Sequence, residues 1–184
     1  MDLVYVASFF TPSEARALFT AFEALPWTRG KFMGRAIPRE EIWIGPYAYR
    51  FSGRTLEPVA WMPELEAIRD KIQGEYGGEY NSVLLNRYAN EHDSVSWHSD
   101  GEPEMDSTHP IASISLGASR AFLIRALAKN HREKRAVRSY ALNGGSLLIM
   151  PPGFQQKYEH SIPKSATPCA SRINLTFRRM KPKK

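Results

Sequence analysis

The stretch from Ser96 to Asp100 contains two side chains whose types and spacing could bind a metal ion. His98 and Asp100 are two positions apart, and residues with this spacing point to the same face of an extended strand. An imidazole and a carboxylate on one face are two of the three ligands of a 2-His-1-carboxylate site, which binds non-haem Fe(II) and leaves positions open for chemistry. The pair alone is a weak signal, because a surface histidine near an aspartate in a turn produces the same pattern.

A third ligand would have to come from a distant histidine. His92, His109 and His131 stand in polar segments, whereas His160 lies after a Gly/Pro turn at the start of an apolar strand. His160 is therefore the candidate that completes the site. The alternative is a histidine of the core or its rim that binds no metal.

The last predicted strand, Arg172 to Arg178, alternates strictly between apolar and polar residues. If its polar face points into a barrel, the arginines need an anionic partner, because a buried unpaired charge costs several kcal/mol. Arginine binds carboxylates bidentately, so a small dicarboxylate beside an Fe(II) site, 2-oxoglutarate, is the natural ligand. The alternative is the solvent face of an edge strand. The polar face comprises Arg172, Asn174, Thr176 and Arg178.

Asn86 and Tyr88 share one face of an earlier predicted strand and could donate hydrogen bonds to the same anion. The alternative for this pair is a core tyrosine beside an asparagine that faces a turn.

The elements that must position these residues are mainly β. Thr11 to Glu14 resembles a capping box that opens a helix, and Pro63 to Tyr76 is predicted as a second helix. Short strands at regular spacing follow, which predicts a sandwich or barrel with flanking helices, an α+β class. The predicted strands are Ser82 to Tyr88, Val95 to His98, Ile111 to Leu116, Ala121 to Ala126, Val137 to Leu142, Ser146 to Met150, Tyr158 to Ile162 and Arg172 to Arg178, preceded by an apolar strand-like run from Val4 to Phe10.

Two segments are candidates for contact with nucleic acid. Trp27 to Gly53 mixes aromatic and cationic residues, which is typical of a surface that stacks bases and holds phosphates; the alternative is an irregular β-hairpin that covers one edge of the core. Lys129 to Arg138 is a basic hairpin or loop that could contact phosphates or could be a solvated turn. The net charge of +6 fits a polyanionic partner.

Length and composition exclude several classes of protein. The 184 residues suggest one domain, and Cys169 as the single cysteine excludes an internal disulfide framework. There is no signal-peptide pattern and no apolar run of the roughly 18 residues that a membrane span requires. We therefore expect a monomer with no membrane partner, cytoplasmic, or nuclear if the source is eukaryotic.

Several motifs together resemble the AlkB family of Fe(II)/2-oxoglutarate dioxygenases, and most closely its DNA-repair branch. Their order and spacing agree from about Phe32 to Arg178. The motifs are Asn86-Arg87-Tyr88, Trp97 to Glu102, Pro110 to Gly117, Gly145 to Met150, His160 to Pro163 and Arg172 to Arg178.

The resemblance implies a double-stranded β-helix, or jelly roll, formed by residues 1–184, with a nucleotide-recognition lid at residues 27–55. It implies Fe(II) bound by His98, Asp100 and His160, with 2-oxoglutarate and O₂ as cosubstrates. Arg178 would pair with the distal carboxylate of 2-oxoglutarate. The rest of that pocket would be formed by Arg172, Asn174, Thr176, Asn86 and Tyr88.

The resemblance also implies a substrate site. Tyr49 and Phe51, with His98, would sandwich a flipped base, and Phe32-Met33-Gly34 would be the finger that fills the gap left in the duplex. Repair enzymes of this branch usually carry an acidic residue directly after the aspartate ligand. Here that position is Gly101, and Glu102 follows as the candidate base contact. The finger hairpin is also short, with Met33 where a larger ring would be expected.

The activity implied is oxidative demethylation of 1-methyladenine and 3-methylcytosine in alkylated DNA, with release of succinate, CO₂ and formaldehyde. The same chemistry on methylated RNA or on a protein is the alternative. A protein that keeps the fold and binds nucleic acid without catalysis is a third hypothesis, which the presence of His98, Asp100, His160 and Arg178 disfavours.

Overall fold

The structure, a computed structural model, describes residues 3–51, 53–128 and 134–182, apart from the side chain of Phe51. Over these residues the chain forms fourteen β-strands, two α-helices and one short 3₁₀ helix. Their order is β1 Val4–Val6, α1 Pro12–Glu23, β2 Lys31–Phe32, β3 Arg35–Ala36, β4 Glu40–Ile44, β5 Tyr49–Phe51, β6 Arg54–Leu56, α2 Pro63–Tyr76, β7 Ser82–Tyr88, β8 Val95–His98, β9 Ile111–Gly117, β10 Arg120–Ala126, β11 Arg138–Leu142, β12 Ser146–Met150, the 3₁₀ helix Phe154–Gln156, β13 Tyr158–Ile162 and β14 Arg172–Arg178.

Two antiparallel sheets face each other. One has six strands in the order β1-β12-β9-β14-β7-β4, and the other has four in the order β11-β10-β13-β8. Apolar side chains from both sheets form a shared core, including Leu84 and Leu148 from the first and Phe122 and Ile124 from the second. Two facing antiparallel sheets that bury one common core form a jelly roll, which confirms the predicted fold.

The two helices cover the outer face of the six-stranded sheet. Phe22 of α1 and Leu65 of α2 pack in one apolar cluster with Ile114 of β9 and Leu175 of β14. The capping box at the start of α1 forms as predicted, since the Thr11 side chain accepts from the Glu14 backbone while Glu14 reaches back to Thr11. Within the described residues, neither helix combines the length and hydrophobicity that a bilayer span requires.

The strand β14 is central, because it pairs with β9 on one side and β7 on the other. All seven of its residues are buried. Its apolar residues pack toward the helices, so its polar residues face the space between the sheets. The alternative of a solvent-facing edge strand is therefore wrong.

The aromatic segment at residues 27–55 divides between core and surface. β4 is an edge strand of the six-stranded sheet, and its Trp43 is 1% exposed, so this ring belongs to the core and cannot stack on a base. The remainder forms two small hairpins, β2–β3 and β5–β6. At the start of the chain, only Val4–Val6 of the predicted apolar run is a strand.

Residues 129–133 of the predicted basic segment lie outside the described residues. The last residue of the segment, Arg138, begins β11 and is exposed.

A buried carboxylate joins the β5–β6 hairpin to the six-stranded sheet. The side chain of Glu41 in β4 is 1% exposed and forms ion pairs with Arg39 (2.8 Å) and with Arg54 of β6. Glu41→Gln is expected to lower the free energy of unfolding by about 3 kcal/mol, because it leaves two largely buried guanidinium groups without their counter-charge. Chemical denaturation measures this change. Asp70→Asn, which removes the same charge from an exposed pair with Arg69, should cost less than about 0.5 kcal/mol; an equal loss in both variants would contradict the prediction.

Candidate active site

The structure brings His98, Asp100 and His160 together between the two sheets. His98 of β8 pairs in register with His160 of β13, and their ring centroids are 4.3 Å apart. Asp100 follows β8, and one potential ligand atom from each of the three residues lies within 4.8 Å of the other two. The three residues thus form a compact set of two imidazoles and one carboxylate, as the sequence predicts.

Neighbouring groups orient these side chains. The backbone N–H of Asp100 donates to Oε1 of Gln155 (3.0 Å), and Nδ1 of His98 lies 2.8 Å from the carbonyl oxygen of Ser96. Ser99 donates to the carbonyl of Tyr158, which ties the turn between His98 and Asp100 to β13 (2.8 Å). Such partners fix the orientation of metal-binding side chains.

The protonation states fit a divalent metal ion. Burial and, to a smaller extent, the charge of His98 lower the pKa of His160 to about 3, so its imidazole is neutral at pH 7. Burial alone would raise the pKa of Asp100, but Arg178, His160 and His98, of which Arg178 has the largest effect, together outweigh burial and lower that pKa to about 2. In addition, Nδ1 of His160 is buried without a hydrogen-bond partner among the described residues. A neutral imidazole with an unpaired nitrogen, beside a carboxylate anion, is a donor set that suits Fe(II).

A cavity of about 370 Å³ opens from these three residues. One wall is the polar face of β14, and Asn86 and Tyr88 of β7 adjoin it. A cavity of this size accommodates a small ligand. The candidate residues for 2-oxoglutarate therefore lie beside the candidate metal site.

The two arginines of β14 have different partners. Nη2 of Arg178 lies 2.9 Å from Oδ2 of Asp100, and its Nη1 donates to the Tyr49 hydroxyl (3.1 Å). At the other end of β14, Arg172 donates from Nη2 to Ser115 (2.9 Å), while its Nε and Nη1 are buried without partners among the described residues. Both Nη atoms of Arg178 are therefore engaged at the metal end, and only its Nε is buried without a partner among the described residues. Arg172 thus has more unpaired N–H groups than Arg178 for an anion at its end of the cavity, while the assignment of the distal carboxylate of 2-oxoglutarate to Arg178 stays a prediction.

The other predicted cosubstrate residues form a hydrogen-bonded network along the cavity wall. Asn174 donates to Ser113 (2.8 Å) and accepts from Thr176 (3.0 Å), and Asn86 accepts from Nε of Arg39 (3.0 Å). Ser113 and Ser115 were missed in the sequence analysis. Their alternation with isoleucine and leucine in β9 could have identified them, because it places both serines on one face of the strand.

The predicted substrate residues lie in different environments. Phe32-Met33-Gly34 forms the tip of the β2–β3 hairpin, where Met33 has a φ of 49° and is 87% exposed. Phe32 and Glu102 line the cavity, and Oε2 of Glu102 is buried without a hydrogen-bond partner among the described residues. Tyr49 is only 2% exposed and stacks on Trp43 at 4.5 Å, so a face of its ring is unavailable to a base. The side chain of Phe51 lies outside the described residues.

Comparison with known proteins agrees with this geometry. The pattern of the 2OG-Fe(II) oxygenase superfamily matches residues 2–178. The chain is 40% identical over 156 residues to the mouse DNA oxidative demethylase ALKBH2, covering 81% of this chain and 64% of the relative. It is 39% identical over 152 residues to human alpha-ketoglutarate-dependent dioxygenase alkB homolog 3, covering 79% of this chain and 52% of the relative.

The fold is also shared with a solved structure. The protein described as the structure of OsALKBH1 superposes with a TM-score of 0.63 at 18% identity, covering 96% of this chain and 97% of the other. At this identity the likeness concerns the fold alone. The chain spans about half to two thirds of the length of the curated relatives that it matches.

Proposed function

We propose that this chain, which belongs to the AlkB-like members of the 2OG-Fe(II) oxygenase superfamily, oxidatively demethylates N-alkylated bases in DNA. The observation that carries the proposal is the compact His98, Asp100 and His160 cluster, which opens into a cavity whose far wall presents unpaired N–H groups of Arg172. Relatives named DNA oxidative demethylase, at 34 to 40% identity, support the substrate class.

His98, Asp100 and His160 would hold Fe(II), and Arg172 would bind the distal carboxylate of 2-oxoglutarate. Bound Fe(II), O₂ and 2-oxoglutarate would together supply the oxidising power that converts the N-methyl group to formaldehyde while 2-oxoglutarate becomes succinate and CO₂. Arg178 keeps Asp100 anionic, because its guanidinium lies 2.9 Å from that carboxylate.

Residues at the open side of the cavity would recognise the base. The Oε2 atom of Glu102, which has no partner among the described residues, can accept a hydrogen bond from the exocyclic amine of a methylated adenine or cytosine. Glu102 would thereby replace the acidic residue that is usual at the position of Gly101. Tyr49 contributes its hydroxyl to this wall, beside Arg178 and Glu102. Residues 27–55 would then act as the lid through their two hairpins, while β4 anchors them to the core.

The exposed apolar side chain of Met33, at the tip of the β2–β3 hairpin, supports the proposal that this hairpin is the finger that enters the duplex. Such a wedge holds a duplex open after a base leaves the stack. Met33→Ala is expected to lower activity on methylated duplex DNA about tenfold and to change activity on the single strand less than about twofold, because only the duplex leaves a gap to fill. Formaldehyde release measures both. Val4→Ala, which shortens an exposed apolar side chain of β1 at the sheet edge opposite to β4, is the matched control. Equal losses on both substrates in Met33→Ala would contradict the finger role.

The function is tested by formaldehyde release from oligonucleotides that contain 1-methyladenine or 3-methylcytosine. Single-stranded and duplex DNA and single-stranded RNA are compared, each with and without 2-oxoglutarate. We expect release from DNA that depends on 2-oxoglutarate. Higher activity on methylated RNA would favour the alternative substrate, and no release from any nucleic acid would refute the proposal.

A further inference from the structure

Arg120, at the start of β10, is a buried arginine outside the roles described so far. It is 4% exposed, and its guanidinium donates to the backbone carbonyls of Asn90 (3.2 Å), Asp93 (2.8 Å) and Pro163 (2.6 Å). Within residues 3–51, 53–128 and 134–182 it forms no ion pair with a carboxylate. Its N–H groups are therefore satisfied, and the carboxylate of Asp93, with which its charge interacts, is already paired with Arg29 (2.8 Å).

Arg120 shares an aromatic neighbour with Arg172. The guanidinium carbon of Arg120 lies 5.7 Å from the centroid of the Tyr88 ring, and that of Arg172 lies 5.2 Å from it. Arg172 is 1% exposed and likewise forms no ion pair with a carboxylate in the described part of the chain. Two buried positive charges thus border one tyrosine.

This arrangement is unfavourable until an anion binds. Burial and, to a smaller extent, the charge of Arg120 lower the pKa of Arg172 to about 10. Like charges in a weakly screened interior repel each other, and an anion that reaches the unpaired N–H groups of Arg172 would be attracted by both. Arg120 itself is held by the three carbonyls, so it cannot move away to relieve the repulsion.

We infer that Arg120 is a positioning residue of the cosubstrate pocket, whose buried charge behind Tyr88 strengthens binding of the distal carboxylate at Arg172. This inference rests on the proposed function, because it takes 2-oxoglutarate to be the anion. Arg120 acts through Tyr88 and through its electric field, without touching the ligand. It therefore favours a 2-oxo acid with a second carboxylate over one that lacks it.

The experiment compares two such acids. The full chain, loaded with Mn(II) under anaerobic conditions, is titrated calorimetrically with 2-oxoglutarate and with 2-oxobutyrate, which lacks the distal carboxylate. In Arg120→Gln, which keeps N–H donors but removes the charge, we expect the Kd for 2-oxoglutarate to rise about tenfold and that for 2-oxobutyrate less than twofold. In Arg120→Lys, which keeps the charge, both Kd values should stay within about threefold of wild type.

Arg125→Gln is the matched control, because Arg125 lies on the same strand but pairs with Glu159 at 2.6 Å. It should bind both acids as the wild type does. An unchanged preference for 2-oxoglutarate in Arg120→Gln, or an equal loss in the lysine and glutamine variants, would overturn the inference and leave Arg120 as a support of the surrounding loops. A wild type that binds neither acid would instead refute the proposed function.

Discussion

Replacement of His160 by alanine is expected to reduce formaldehyde release by about a thousandfold or more, because only two protein ligands would remain for Fe(II). His160 is 5% exposed, and its ring lies 4.3 Å from that of His98, so no other described histidine can take its place. The loss should appear at every concentration of substrate and of 2-oxoglutarate.

Metal binding provides a readout that is independent of turnover. Titration with Co(II), followed by its visible absorption, should show at least about a tenfold weaker site in His160→Ala. His109→Ala is the control, because His109 is partly buried but pairs with Asp106 in a surface loop (3.3 Å). Retention of both formaldehyde release and Co(II) affinity in His160→Ala would refute the iron assignment.

The second large effect separates the two arginines of β14. Arg172→Gln is expected to raise the KM for 2-oxoglutarate about a hundredfold, because it removes the only group at the far end of the cavity that offers unpaired guanidinium N–H donors among the described residues. Its Co(II) affinity should stay near that of the wild type, since Asp100 keeps its ion pair with Arg178.

Arg178→Gln should behave in the opposite way. Without the guanidinium at 2.9 Å, burial is expected to raise the pKa of Asp100, so protons compete with the metal and Co(II) affinity falls as the pH is lowered. Steady-state kinetics and Co(II) titrations between pH 6 and pH 8 measure both variants. If the KM for 2-oxoglutarate rises more in Arg178→Gln than in Arg172→Gln, and metal affinity is intact, the prediction is wrong and Arg178 is the residue that binds the distal carboxylate.

Much of the fold and part of the site could be predicted from the sequence. The period of two in Arg172–Arg178 identifies this strand, and the capping box identifies the start of α1. The spacing of His98 and Asp100 places both side chains on one face. These features depend on the order of neighbouring residues, so local patterns suffice to find them.

The tertiary structure decided which of these residues meet. The pairing of β8 with β13 brings His160 to His98 across more than sixty residues of chain, and the central position of β14 buries a polar face that an edge strand would expose. The different contacts of Arg172 and Arg178, the burial of Tyr49 against Trp43, and the place of Arg120 beside Tyr88 follow from the same packing. The alternation of β14 is equally compatible with either arginine as the anion ligand. The contact of Asp100 with Arg178 and the unpaired N–H groups of Arg172 distinguish them, because an electrostatic partner is set by distance in space and not by separation along the chain.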